Sequence, residues 1–122
     1  SAAAVKIEQA RIRAEWAVAV LDKGARSLAR TEEQRNRALE RVFAAVRAAP
    51  RDYYVQVAYG EVLSFFKDDI QAIEVLRSAL ASRPHDSRGC IALAQALGCR
   101  MRNVAFAEAA AHAAQQTGDG GG

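Results

Sequence analysis

"ALERVFAAVRAAPRD", residues 38–52, is echoed thirty-four residues later by "AIEVLRSALASRPHD", residues 72–86. Five positions are identical: Ala38/Ala72, Glu40/Glu74, Ala45/Ala79, Pro50/Pro84 and Asp52/Asp86. Three more exchange one aliphatic for another, at Leu39/Ile73, Val42/Leu76 and Val46/Leu80. Within each copy the apolar residues recur three and four apart, the spacing of a helix that buries one stripe. Proline ends each copy, because the residue before it avoids the α region. The aspartate two positions on is suited to cap a following helix. Helix, break and helix start are therefore written twice.

Working outward, "TEEQ" at Thr31–Gln34 supplies a capping box ahead of the first copy. Asp52 starts a helix reaching about Phe66, and "KDD" at Lys67–Asp69 makes a polar turn before a helix to about Ser82. Asp86 or Ser87 caps a helix to about Leu97, and Asn103 caps a last one, from Val104 to about Gln116. The end "GDGGG", residues 118–122, reads as a flexible tail. In the N-terminal thirty residues, Ile12, Trp16, Val20, Leu21, Ala25 and Leu28 fall near one helical face. Gly24 leaves open whether that segment is one helix or two. No segment alternates with a period of two, so no sheet is expected.

A helix–turn–helix period of thirty-four residues closed by proline resembles the tetratricopeptide repeat, whose pattern is W-x2-L-G-x2-Y, A-x3-F and P. The clearest unit reads Gln56-x2-Tyr59-Gly60-x2-Leu63, then Ala72-x3-Leu76, Ala79 and Pro84. Before it, Ala38, Val42, Ala45 and Pro50 keep the second helix. The first helix fits after a one-residue slip, as Leu21-x2-Gly24-Ala25-x2-Leu28. The unit after it reads Cys90-x2-Leu93-Ala94-x2-Leu97, with Phe106 and Ala110 exchanging large and small residues and Gly118 in place of proline. The resemblance implies an all-α fold, about six or seven helices in antiparallel pairs stacked as a right-handed α-α superhelix. It spans a single domain over residues 1–117. In that arrangement Gly60 and Ala72 are the small residues that let paired helices approach.

Composition agrees with a packed helical domain: 51% of residues are hydrophobic and 25% charged. A chain of this length buries roughly two-thirds of its unfolded surface. No stretch approaches a membrane-spanning length, and the start lacks a signal-peptide pattern. Residues 1–50 carry ten Lys/Arg against six Asp/Glu, and residues 51–122 seven against eight. Acids interspersed through the basic half make it read as a solvated helix face, so nucleic acid is not an expected partner.

Catalytic patterns are missing. Neither a glycine-rich phosphate loop nor a G-x-S-x-G elbow occurs, and Asp68–Asp69 fit a helix N-terminus. His85 and His112 have no cysteine at ligand spacing. Cys90 and Cys99 would lie about 13 Å apart along a helix, too far for a disulfide. They read as buried free thiols in a reducing, cytoplasmic setting. No enzyme activity, cofactor or metal is expected.

The resemblance instead implies a protein-binding groove lined by the first helix of each pair. Its expected residues are Tyr54, Val57, Glu61 and Phe65, then Arg88, Ile91 and Gln95, with Lys23 and Arg26 (or Ser27, with Arg30) in the first unit. Tyr54 and Phe65 also fit a core position under the N-terminal helix, and the sequence leaves both assignments open. Val57 and Glu61 do not suit the subclass that clamps a chaperone's C-terminal carboxylate. The expected partner is another protein's helix or peptide, with an adaptor or chaperone role. The alternative is a scaffold unit that self-associates through its terminal helices.

Overall fold

The computed structural model describes residues 1–22 and 31–120, with side chains through residue 116. Five helices make an all-α fold, with no strand among the described residues: α1 (Ala2–Leu21), α2 (Glu32–Ala48), α3 (Tyr53–Phe65), α4 (Asp69–Ser82) and α5 (Ser87–Gly120). Lys23 and Arg26 lie outside the described residues.

Local chemistry sets most of the helix ends. At α2 the Thr31 hydroxyl accepts from the Gln34 N–H, and the Gln34 amide oxygen accepts from the Thr31 N–H, both at 3.2 Å. This is the expected capping box. Asp52 accepts from the Val55 N–H to start α3, and Asp86 accepts from the Gly89 N–H to start α5. The α3–α4 corner is a Schellman motif: Lys67 N–H donates to the Ser64 carbonyl and Asp68 N–H to the Leu63 carbonyl. Lys67 takes the left-handed conformation that the motif needs, with φ 67°. Asp68 then caps α4 through the Gln71 N–H.

Two apolar clusters share α3. Val55, Ala58 and Val62 face one cluster, with Ala10, Ala14, Ala17 and Leu21 of α1 and Ala38, Val42 and Ala45 of α2. Tyr53, Val57 and Leu63 face the other, with Ala72, Leu76 and Ala79 of α4 and Ala92 and Ala96 of α5. A helix buried on two faces needs apolar residues nearly all round, and "YYVQVAYGEVLSF" supplies them.

Three expectations change. The buried stripe of α1 is alanine, at Ala10, Ala14 and Ala17, with Val20 and Leu21; Ile12 is 62% exposed and Trp16 39% exposed. Methyl side chains let α1 approach α2 closely, while the Trp16 ring carries the Arg41 guanidinium 4.3 Å from its centroid. Gly60 is closely packed against the helix of Ala72, as expected: a Cβ there would sit 2.5 Å from Leu76 Cγ of α4, and Ala72 is fully buried. Cys90 is exposed and Cys99 half-buried, where buried thiols were expected. Finally, α5 is one helix of 34 residues. Asn103 does not break it to give the further helix; its side chain instead donates to Asp69 Oδ2 at 3.0 Å.

Candidate functional site

An open groove of about 780 Å³ lies between the end of α1, the second half of α3 and the middle of α5. From α3 come Glu61, Val62 and Phe65, and from α5 Ile91, Gln95, Gly98 and Arg102. The α5 residues follow i, i+4, i+7 and i+11, one helical stripe beside the one that packs on α4. Val18 and Leu21 supply the α1 wall. Ile91 is 57% exposed, so an apolar side chain stands open to solvent within the groove. Its charged lining residues include the exposed Lys67 and Arg102 and the half-buried Glu61.

Arg88 ties the three groove helices together. Its Nε donates to Glu61 Oε1 at 2.8 Å and its Nη1 to Glu15 Oε1 at 2.6 Å. Burial works against the Arg88 charge, but the hydrogen bonds to Glu61 and Glu15 outweigh it and raise its pKa. Burial pushes the Glu61 carboxyl above its usual range, against the opposing pull of Arg88. One guanidinium bridging the half-buried Glu61 and the exposed Glu15 links α1, α3 and α5.

Glu61, Phe65, Ile91 and Gln95 are thus brought together in the groove as the sequence arranged them, with Arg88 bound to Glu61. Val57 is not there: it is fully buried in the α3–α4–α5 cluster, because α3 buries two faces and position 57 falls on the second. Tyr54 is also elsewhere. The Arg11 guanidinium lies 4.9 Å from its ring centroid and that of Arg83 5.2 Å from it. Its hydroxyl accepts from Arg83 Nη1 at 3.1 Å. Phe65 is half-buried, packed against the first cluster while lining the groove, so both sequence assignments apply to it.

Sequence reasoning missed Val18, Gly98 and Arg102. The signal for the last two was present: the stripe Arg88–Ile91–Gln95 continues to them once the helix is carried past Leu97. Also missed were the ties of the caps to neighbouring helices. Asp52 binds Arg11 through both carboxylate oxygens, at 2.6 to 3.1 Å. Burial alone would raise this carboxyl, but the Arg11 hydrogen bond and the Val55 N–H hold it below its usual range. Asp86 accepts from the Tyr53 hydroxyl, which lowers the Asp86 carboxyl. Burial and that same bond push the Tyr53 phenol up to about 12.

No cluster of three His, Cys, Asp or Glu that could hold a metal ion occurs among the described residues. No described helix is long and apolar enough to cross a membrane. The chain matches no family model, no curated protein and no solved structure.

Proposed function

We propose that this chain is a non-catalytic protein-interaction module of the tetratricopeptide-repeat kind, binding a partner helix or extended peptide in the groove between α1, α3 and α5. The observation that carries the reading is the groove itself: an open apolar trough with Phe65 and Ile91 on its walls and charged residues in its lining. Such a surface suits the apolar face of a helix or alternate side chains of a strand. Charged lining residues set ligand polarity and encounter rate more than affinity. Two further features favour repeat architecture. The thirty-four-residue echo falls on α2 and α4, and each helix packs chiefly on its neighbours along the chain, with α3 also touching both α1 and α5. Adaptor and chaperone roles both fit a groove of this kind. Self-association is a second reading, favoured by the exposed distal half of α5.

Selection of a displayed peptide library on the immobilised chain tests the groove. Selected peptides should bind Ile91→Asp and Phe65→Ala at least tenfold more weakly, equivalent to about 1.4 kcal/mol. Circular dichroism of Ile91→Asp should match the parent, since Ile91 is largely exposed. Unchanged affinity for both folded variants moves the binding surface elsewhere.

A further inference from the structure

The α4-facing stripe of α5 alternates three- and four-residue steps: Gly89, Ala92, Ala96, Cys99, Asn103, Phe106, Ala110, Ala113. That is the a/d seam of a two-helix coil. Its first part is occupied by α4, running antiparallel. Gly89 abuts Leu80, near the end of α4; Ala92 and Ala96 are buried with Ala72, Leu76 and Ala79; and Asn103 bonds to Asp69, the first residue of α4. Beyond Asn103 α4 has ended, yet the seam continues in register. Residues 100–116 are all exposed, and Phe106 is 73% exposed.

We infer that the distal half of α5 is a homodimer interface, in which a second copy's α5 lies antiparallel along the Phe106–Ala110 seam in continuation of α4. Three features single out a second copy as the occupant. The seam sets one large side chain among alanines, so under a twofold axis each Phe106 packs over small residues of the other copy, a self-complementary arrangement. The residues flanking it, Ala107, Ala109 and Gln116, are uncharged, and Glu108 falls on the opposite helical face, so two copies meet without like-charge repulsion. Antiparallel pairing also brings the C-terminal end of each α5 toward Arg100 and Arg102 of the other, and cations are favourable beside a helix C-terminus. Asn103, polar at an a-type position, fixes where α4 yields the seam. From Asn103 to Gln116 the exposed seam is about 20 Å long. So short a contact makes the dimer a reversible one.

Light scattering across a dilution series, read against circular dichroism, tests the inference. The parent should pass from dimer to monomer mass on dilution. Phe106→Asp should shift that midpoint at least tenfold toward monomer, Phe106→Leu should hold it, and Ala110→Glu should act like Phe106→Asp. Helicity should persist in each variant, since both positions are exposed. Ile91→Asp should leave the dimer intact, which separates this surface from the groove. A parent that stays monomeric at every concentration overturns the inference, as does Phe106→Asp associating like the parent.

Discussion

Helices α3 and α5 begin alike, each three residues after a proline and under an aspartate that bonds to an earlier odd-numbered helix, Asp52 to Arg11 and Asp86 to Tyr53. Thirteen residues on, α3 stops: Lys67 turns left-handed and Asp68 caps α4. The positions thirty-four residues later hold Met101 and Arg102. Arginine cannot accept a backbone N–H, and its charge is unfavourable at a helix N-terminus. No cap forms there and α5 runs on. The difference teaches that a repeat's pairing depends on its corner as much as on its apolar stripes, and that a missing corner turns an inward-facing stripe outward.

The largest contrast should come from truncating that stripe on either side of the corner. Leu76→Ala empties the centre of the α3–α4–α5 cluster and should cost about 2–5 kcal/mol by denaturant titration. Phe106→Ala, measured in dilute solution, should change stability by no more than about 0.5 kcal/mol. Comparable losses for the two would mean that the distal half of α5 is packed.

Glycines give a contrast of sign. Gly60→Ala should destabilise by about 1–3 kcal/mol, because the new methyl would overlap Leu76. In α5, the nearest atom to a Cβ at Gly98 is an Arg102 nitrogen at 3.9 Å. Gly98→Ala should therefore stabilise by about 0.5–1 kcal/mol, the ordinary helix preference for alanine. Like signs in thermal melts would show that the two helices are equally crowded.

Acid titration sharpens the comparison of the two caps, with the smallest effect. Asp52 and Asp86 are held low in the folded chain. Their stabilisation is full above the unfolded value of about 3.9 and is lost as pH falls through their folded values. Glu61, held high, works oppositely: stability is gained as pH falls through its folded value. Asp52→Asn and Asp86→Asn should each flatten the acid limb of a melting-temperature profile, and Glu61→Gln should steepen it. An unchanged profile for Asp86→Asn would leave its bond to Tyr53 without weight.

The sequence by itself determined the helical class, the stops at Pro50 and Pro84, the caps at Thr31 and Asp52, and a cap at Asp86 or Ser87, which the structure assigns to Asp86. These rest on forces acting within a turn or two of helix: backbone sterics at proline, side-chain capping and 3.6-residue periodicity. Only the tertiary structure decided which face of an all-round apolar helix meets which neighbour. Val57 reads like a groove residue until α3 is sandwiched between two clusters, and Ile12 and Trp16 read like core until alanines let α1 draw close to α2. Asn103 has the chemistry of a cap, yet Asp69 on the neighbouring helix takes its amide. A local preference worth about 1 kcal/mol yields to such a contact when the chain on both sides is good helix former.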